Sequence, residues 1–377
     1  MIIKDIRLHN FRNHAESFLA FGEGINVLLG ANGQGKTNVL EAVSYLGLTK
    51  SFYAASDLHV LRLGEMAFSL LGHLQSDGDV PHSVQISFQG DAAVKAVLVD
   101  NTVPESMSSV IGRFPVVILS PEHNRITAGG PSERRRFLDL LLSQVSALYL
   151  DDIMQYRKVL RQRNSLLRDA RWRPAQAREL IDPWTHSMSK LGARIIVRRR
   201  DFLREFSDYV RRTYAMLVGA GEEPSVRYSA FAALTETETV DDVTRRLLET
   251  MHTRWDDELR RGTSTVGPHR DEIQLALNGM SVQQYASQGQ QKTFLVSLKM
   301  AEHAYLHERR DERPIMLLDD LFGELDANRS RRILDQISRN GQCVITATDD
   351  RPFPQSSSGS TEFKRFVVDR GTVKEAA

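Results

Sequence analysis

The sequence lacks most of the features that mark secreted or membrane proteins. It contains one cysteine, Cys343, so no disulfide can form within the chain, as is usual in a reducing compartment. No apolar run approaches the ~20 residues that a membrane-spanning helix requires. The first residues, MIIKDIRLHNF, have no apolar core of the signal-peptide kind. We therefore expect a cytoplasmic protein without a membrane partner, and we expect Cys343 to be a small buried residue rather than a reactive thiol.

Net charge is also nearly absent, but its distribution is uneven. The 377 residues carry a formal charge of +1. The segment from Arg134 to Thr213 holds 19 Lys/Arg and 9 Asp/Glu, an excess of +10, so the rest of the chain carries −9. Such a basic segment indicates either an anionic partner or a solvated, arginine-rich helical surface. Charge alone does not separate the two interpretations.

The length suits two folding units, or one core with an insertion. Short alternating or apolar runs such as IIKDIRLHNF, INVLLG and FPVVILSPE predict strands in the first part of the chain. The basic middle has helical periodicity, broken at WRP (172–174), and predicts an antiparallel helical arm. Strand patterns return at DEIQLALNG, PIMLLDD and QCVITATDD, and 354–361 is predicted to be a loop. We predict an α/β domain with a mostly parallel sheet formed by residues 1–125 and 270–377, with an inserted helical lobe at 126–269.

The segment GANGQGKT has the spacing of a phosphate-binding loop, with a predicted buried strand before it and a helix after it. Its glycines allow the backbone to approach phosphate oxygens closely, at the positive end of the following helix. Lys36 is predicted to reach the outer phosphates, and the Thr37 hydroxyl to ligate Mg²⁺. The chain has no guanine-reading Asn/Thr-Lys-x-Asp motif, so the sequence predicts ATP. The predicted nucleotide-binding residues of the loop are Gly30, Ala31, Asn32, Gly33, Gln34, Gly35, Lys36 and Thr37.

Two adjacent carboxylates follow the apolar run IMLL. Acids at the end of a buried strand lie at the ligand edge of an α/β sheet. Asp319 is therefore predicted to contribute to the Mg²⁺ shell. Asp320 is predicted to orient or deprotonate the water that attacks the γ-phosphate.

Together the phosphate loop, SQGQQ (287–291), LLDD, GELD (323–326) and ITATDD resemble the ATPase heads of the ABC class, which includes the SMC and RecF proteins. The segments LHNFRNH, SPEHNRITAGGPSERRRFLD, TSTVGPHRDEIQLALNG and SQGQQKT narrow the resemblance to the RecF family, over essentially the whole chain. The resemblance implies an ABC-type head in which two copies enclose two ATP molecules. Ser287, Gly289 and Gln290 would then contact the nucleotide held by the partner's phosphate loop, giving Ser287 a catalytic role beside Lys36 and Asp320.

The chain departs from transporter ATPases of this class at several positions. Gln288 replaces the first glycine of the Ser-Gly-Gly-Gln signature, as in RecF-like proteins. Asp320 replaces a glutamate, and the shorter acid suggests a slow or differently spaced hydrolysis step. Thr348 and Asp349 stand where a switch histidine is usual. Glu122, in SPEH, is predicted to fill the place of a Mg²⁺-sensing glutamine.

Further polar residues have more than one interpretation. Arg12 and Asn13 lie where heads of this class contact nucleotide, or else form a solvated turn. His269, Arg270 and Asp271 form either a functional cluster or a turn held by an Arg–Asp pair. Among the basic residues, Arg198, Arg199 and Arg200 are predicted to bind DNA phosphates. Three consecutive arginines are predicted to hold the arm to the head, namely Arg134, Arg135 and Arg136.

The resemblance implies a weak, DNA-stimulated ATPase that dimerises on ATP and binds DNA at single-strand gaps and double-strand/single-strand junctions. There it would assist RecR and RecO in loading RecA during repair of gaps and stalled replication forks. One alternative is a transporter-type or other ABC ATPase subunit with a different partner. Such a subunit is expected to have two glycines in its signature and no basic arm. Another is a small-molecule kinase, which is expected to act as a monomer.

Overall fold

A computed structural model describes residues 1–53, 56–170, 177–219, 221–321, 327–339, 341–351, 353 and 363–376, with the backbone alone at 327–331. The predictions for WRP (172–174), GELD (323–326) and the loop at 354–361 lie outside these residues. Among the described residues, no helix is both long enough and apolar enough to cross a membrane.

The strands of the described part are, in chain order, β1 (Ile2–Phe11), β2 (His14–Ala20), β3 (Ile25–Leu29), β4 (Ala67–Gln75), β5 (Pro81–Gln89), β6 (Val94–Val99), β7 (Val116–Leu119), β8 (Pro224–Ser229), β9 (Glu272–Leu277), β10 (Met280–Ser281), β11 (Ile315–Leu318), β12 (Cys343–Ala347), β13 (Phe363–Asp369) and β14 (Thr372–Glu375). The α-helices there are α1 (Lys36–Leu48), α2 (Asn124–Ala128), α3 (Pro131–Val145), α4 (Ala147–Ala170), α5 (Ala177–Val218), α6 (Val240–Thr253), α7 (Trp255–Arg261), α8 (Val282–Tyr285), α9 (Gln288–Arg310) and α10 (Ala327–Ile337). Single turns of 3₁₀ helix lie at Asp57–Val60, Met107–Ser109 and Pro121–His123.

The chain divides into two compact units. The first combines Met1–His123 with Val296–Ala377, and the second is Asn124–Leu295. The predicted first boundary, between 125 and 126, lies close to the observed one. The second boundary falls after Leu295 rather than after 269. The reason is that β9 pairs with β8 and β10 in a separate antiparallel sheet, which keeps β9 in the second unit.

The first unit contains two sheets. A five-stranded antiparallel sheet has the order β2-β1-β4-β5-β6, and a six-stranded sheet has the order β14-β13-β3-β12-β11-β7. In the second sheet β13, β3, β12, β11 and β7 are parallel, and β14 is an antiparallel edge. The apolar runs at β3, β7, β11 and β12 are buried, as strands covered on both faces must be.

Helix α1 contacts strands of both sheets of this unit, namely β1, β4 and β5 of one and β7, β11 and β12 of the other. This position explains why 11 of its 13 residues are buried. The register aligns Leu29 with Ala347, and Leu318 with Ile345. The carboxyl ends of β3, β11 and β12 therefore lie at one edge, where ligands bind in sheets of this kind.

The second unit contains the helical arm. Contacts between α4 and α5 join Tyr149 to Arg199, Asp152 to Arg194, and Arg163 to Thr185. As the residue number on α4 rises, that on α5 falls, so the two helices are antiparallel, as the sequence predicts. The buried pair of Arg163 with Glu258, at 2.8 Å, ties α4 to α7. Helix α9 begins in the second unit and ends in the first.

Candidate nucleotide site

The phosphate loop connects β3 to α1, and two of its glycines are required by its geometry. Gly35 has φ 110°, and a Cβ there would lie 2.5 Å from Asn13 Oδ1 and 2.9 Å from His14 Nε2. A Cβ on Gly30 would lie 2.4 Å from the carbonyl oxygen of Val368. An alanine at Gly30 would meet the backbone itself, and one at Gly35 would displace the side chains of Asn13 and His14 from a left-handed position that favours glycine. The close packing holds the loop at the start of α1, where its amides can face an anion.

The Lys36 side chain folds back over this loop. Its ammonium group donates hydrogen bonds to the carbonyl oxygens of Gly30, at 2.6 Å, and Ala31, at 2.9 Å. Burial lowers the pKa of Lys36, and the charges of Asp320 and Asp319 oppose that shift. The amine is therefore held over the loop. Phosphate oxygens could replace the two carbonyl oxygens as acceptors of its hydrogen bonds.

Asp319 is the centre of a hydroxyl cluster. Its Oδ1 accepts hydrogen bonds from Thr37 Oγ1, at 2.8 Å, and Thr346 Oγ1, at 2.7 Å. Its Oδ2 accepts one from the Tyr53 hydroxyl, at 2.8 Å. Burial, reinforced by the Asp319 charge, raises the pKa of Tyr53, so the phenol remains a donor. Thr37 and Asp319, both predicted from the motifs, therefore touch each other directly.

Asp320 adopts a left-handed backbone conformation, with φ 49°. Its N–H donates to Thr346 Oγ1 at 2.9 Å, and its side chain is exposed. A non-glycine residue in this region is strained by about 1–3 kcal/mol and persists only where its surroundings hold it. The hydrogen bond to the Thr346 hydroxyl stabilises this conformation of Asp320. The Asp320 carboxylate is directed away from the core.

These groups line one cleft of about 300 Å³. Its walls are formed by Asn32, Gly33, Gln34, Gly35, Lys36, Thr37, Asn38, Pro121, Asp319, Asp320 and Thr346. Among the described residues, no cluster of three or more His, Cys, Asp or Glu could hold a metal ion by itself. The hydroxyl and carboxylate of Thr37 and Asp319 fit Mg²⁺, which binds through one or two protein oxygens and takes its other ligands from phosphates and water.

Three residues expected in or near this site do not line it. Glu122 is exposed in the turn Pro121–His123, and Pro121 rather than Glu122 reaches the cleft. Thr348 is exposed, and Asp349 pairs with Arg351. On β12 it is Thr346 that contacts Asp319, and the metal-sensing role of Glu122 stays a prediction.

Arg12 and Asn13 form the turn between β1 and β2 and brace the loop. Asn13 Nδ2 donates to the carbonyl oxygen of Gln34 at 3.0 Å, and its Oδ1 accepts from Asn38 at 2.7 Å. The Arg12 guanidinium pairs with Glu41 of α1 through Nε and Nη2, both at 2.8 Å. The described contacts of these residues are with protein groups, and their contact with nucleotide stays a prediction.

The predicted signature residues begin α9 in the second unit. Ser287 is exposed, and it forms a reciprocal cap with Gln290. Ser287 Oγ accepts from the Gln290 N–H at 3.2 Å, and Gln290 Oε1 accepts from the Ser287 N–H at 2.9 Å. This is the capping box of a Ser-x-x-Gln sequence, a signal that the motif analysis missed. The contact of Ser287, Gly289 and Gln290 with a nucleotide stays a prediction.

The DNA assignment of Arg199 is wrong. Arg199 is 1% exposed, and its guanidinium donates to the Tyr149 hydroxyl, the Pro268 carbonyl oxygen and Asp139. It is a core residue that joins α5 to α3 and α4.

The neighbours of Arg199 are partly engaged as well. Arg200 donates to the carbonyl oxygens of Thr235 and Glu238, at 2.8 and 2.9 Å, and Arg198 lies 3.9 Å from Asp152. Arg198 and Arg200 are weaker candidates than the sequence indicated.

Five further residues that the sequence singled out have contacts within the second unit, namely Arg134, Arg135, His269, Arg270 and Asp271. Arg134 pairs with Glu272, and Arg135 donates to the Asp271 carbonyl oxygen. Their described partners lie in the same unit, and the role of these residues in holding the arm to the head stays a prediction. His269 and Arg270 both bond to the Ser264 carbonyl oxygen, and Asp271 bonds to Tyr228. The three residues form a turn before β9, and the described residues include no Arg270–Asp271 ion pair. A functional role for the cluster stays a prediction.

The chain is similar to known proteins in both sequence and structure. A family model described as the RecF/RecN/SMC N terminal domain matches residues 2–367. The chain is 40% identical over 356 residues to a DNA replication and repair protein RecF of Salinibacter ruber, covering 94% of this chain and 86% of that protein. It is 41% identical over 353 residues to the RecF of Chloroherpeton thalassium, covering 93% and 95%.

Solved structures give the same result. The structure described as "the recombination mediator protein RecF-ATPrS in RecFOR pathway" superposes with a TM-score of 0.91 at 30% identity, covering 100% of this chain and 98% of that one. An SMC head bound to the C-winged helix domain of ScpA has a TM-score of 0.55 at 12% identity, covering 100% and 97%, and shares the fold alone. The predicted class, an ABC-type ATPase head with an inserted helical arm, is confirmed.

Proposed function

The chain belongs to the RecF/RecN/SMC N terminal domain family and, within it, to the RecF-type DNA repair ATPases, and from this premise we propose that ATP closes two copies of it on DNA. Each copy would bind one ATP in its phosphate-loop cleft and contact its partner's ATP through Ser287 and Gly289. The observation that carries the proposal is the convergence of Lys36, Thr37 and Asp319 on one cleft.

The chemistry of that cleft suits slow ATP hydrolysis. Lys36 would give up its bonds to loop carbonyls and neutralise the outer phosphates. Thr37 and Asp319 would hold Mg²⁺, which when bound neutralises phosphate charge. Asp320, directed outward by its bond to Thr346, would orient the attacking water. Lys36 is the only cationic side chain among the described residues that line the cleft. Further groups for the γ-phosphate could therefore come from another copy of the chain.

The signature end of α9 has the donors for that completion. Gln288 and Gly289 are the first residues of the helix, and their N–H groups have no acceptor among the described residues. The partial positive charge of the helix terminus would favour an anion there. Because Ser287 is exposed, a partner's γ-phosphate is the acceptor we propose.

The DNA surface that we propose is the exposed face of α4 rather than the run at 198–200. Lys158, Arg161 and Arg168 are exposed, and their separations of three and seven residues place them on one helix face. None of the three has an ion-pair partner among the residues that the structure describes. By contrast, the exposed Arg194, Arg204 and Arg211 of α5 pair with carboxylates. Exposed cations without an ion-pair partner are suited to contacts with the phosphate backbone.

Within the cytoplasm, we propose action at single-strand gaps and double-strand/single-strand junctions, where the protein would help RecR and RecO to load RecA. A relative of 30% identity is described as a recombination mediator in the RecFOR pathway, which supports this assignment.

Light scattering with and without ATP tests the shared-site proposal. ATP should double the mass of the wild-type protein. Lys36→Ala should abolish nucleotide binding and remain monomeric, whereas Ser287→Arg should bind ATP as a monomer. A wild-type protein that binds ATP and stays monomeric would refute the proposal.

The DNA surface is tested by binding to gapped duplex with ATP across a salt series. Changing Lys158, Arg161 and Arg168 together to alanine should reduce the slope of log K against log salt by about 3 for each copy that contacts DNA, since each phosphate contact contributes about 0.9. The matched control changes Arg194, Arg204 and Arg211 to alanine and should leave the slope nearly unchanged. Equal effects of the two triple variants would contradict the assignment.

A further inference from the structure

Glu222 lies beside the start of the signature helix α9. It follows α5 after two left-handed glycines, Gly219 with φ 90° and Gly221 with φ 124°. The next residue, Glu223, exchanges two hydrogen bonds with Asn278: its N–H donates to Asn278 Oδ1 at 2.7 Å, and its carbonyl oxygen accepts from the Asn278 N–H at 2.8 Å. The residue that follows Glu222 is thus fixed to Asn278.

The Glu222 carboxylate bridges two helices of the second unit. Its Oε1 accepts a hydrogen bond from Gln290 Nε2 of α9 at 2.7 Å, and its Oε2 accepts one from the Tyr214 hydroxyl near the end of α5. The Tyr214 ring also packs against Phe294 of α9, with ring centroids 5.9 Å apart. The last turns of α5 and the first turns of α9 are therefore joined by a polar and an aromatic contact.

This bridge determines which way the Gln290 amide points. A carboxylate can only accept hydrogen bonds, so it selects the NH₂ end of the amide. The carbonyl end must then face the N–H of Ser287, which it meets at 2.9 Å. Ser287 Oγ in turn accepts from the Gln290 N–H, which leaves the hydroxyl proton of Ser287 free for an outside acceptor. The N–H groups of Gln288 and Gly289 are directed by the same cap.

We infer that Glu222 is a positioning residue that orients Gln290, and through it Ser287, for contact with the γ-phosphate of a partner's ATP. The inference rests on the proposed ATP-driven dimer. Without Glu222 the amide can rotate, Ser287 N–H loses its fixed acceptor, and the hydroxyl is no longer directed outward. The contact from Tyr214 also connects this cap to α5, the longer helix of the basic arm.

The test measures the dimer dissociation constant at saturating ATP by analytical ultracentrifugation. Nucleotide affinity is measured separately, on protein diluted to the monomer. Glu222→Ala should weaken dimerisation roughly tenfold, as loss of a hydrogen bond to a charged group implies, without changing nucleotide affinity. Glu223→Ala is the matched control, because that neighbouring exposed carboxylate makes no side-chain hydrogen bond among the described residues, and it should dimerise as the wild type does.

A charge swap protects the test against a simple folding defect. Gln290→Glu alone places two carboxylates together and should weaken dimerisation further. Combining it with Glu222→Gln restores a donor facing an acceptor and keeps a Ser-x-x-Glu cap, so the double variant should dimerise more tightly than Gln290→Glu alone. Failure of the wild type to dimerise would refute the proposed function. A dimerising wild type with an unaffected Glu222→Ala, or a double variant no better than Gln290→Glu, would overturn this inference alone.

Discussion

Thr346→Val tests whether one hydroxyl holds both aspartates of the site, Asp319 through its carboxylate and Asp320 through its backbone N–H. Thr346 is 1% exposed, donates to Asp319 Oδ1 at 2.7 Å and accepts from the Asp320 N–H at 2.9 Å. Valine has nearly the same shape, so the packing should be preserved while both hydrogen bonds disappear. The bond to a carboxylate contributes about 1.5–3 kcal/mol, and an N–H left without an acceptor costs about 1–3 kcal/mol. We expect a loss of about 3 kcal/mol in the free energy of unfolding.

The same change should affect hydrolysis more than binding. Asp320 holds its left-handed backbone through Thr346, and displacement of a catalytic group by about 1 Å can cost on the order of 10²-fold in rate. Single-turnover ATP hydrolysis should fall by roughly that factor, while ATP affinity should stay near the wild-type value because Lys36 and its loop are untouched. Thr346→Ser keeps the hydroxyl and is the control. The reasoning is refuted if Thr346→Val hydrolyses bound ATP as fast as the serine variant.

Three further predictions concern other parts of the molecule. Glu258→Ala should lower the free energy of unfolding by about 3–5 kcal/mol, since it leaves the buried Arg163 without its carboxylate; Arg261→Ala, at the exposed end of α7, should change it little in the same urea titration. Burial lowers the pKa of His303 to about 4, below its unfolded value, so stability should decline as pH falls from about 6.5 to 4, and more steeply than in His303→Gln. Gly35→Ala should abolish ATP binding measured by calorimetry, whereas Gly33→Ala, where a Cβ meets nothing within 4 Å, should weaken it less.

Much of the site could be predicted because its motifs are local in sequence. The phosphate loop needs its glycines, its lysine and its threonine within eight residues, between a strand and a helix. The run IMLLDD identifies a buried strand that ends in acids. In both cases, hydrophobic pattern and residue chemistry agree on the same short segment.

The contacts with Asp319 were harder to predict because they depend on strand order. Thr346 reaches Asp319 because β12 pairs with β11 in the register that aligns Ile345 with Leu318. The sequence directed attention to Thr348 and Asp349, which lie beyond the end of the strand. Tyr53 contacts the same carboxylate from a segment without hydrophobic periodicity. No sequence motif near Tyr53 predicts that its hydroxyl belongs to the site.

The burial of Arg199, in contrast, could have been predicted from helix periodicity. Ile195, Ile196, Phe202 and Leu203 are buried on α5, and each lies three or four residues from Arg199. An arginine in the middle of an apolar stripe faces the core, where it needs a carboxylate, and Asp139 supplies one. The prediction that residues 198–200 bind DNA used only their charge and ignored this apolar pattern.

The central claim is that the phosphate loop of one chain and the signature of another form one ATP site. Cys343 is the only cysteine and is fully buried, so introduced cysteines would be the accessible thiols. Chains with Asn32→Cys are mixed with chains with Ser287→Cys, and a short bis-maleimide is added with ATP, with ADP or without nucleotide. The account predicts a crosslink between the two kinds of chain with ATP alone. Equal crosslinking in all three conditions, or none with ATP, would contradict it.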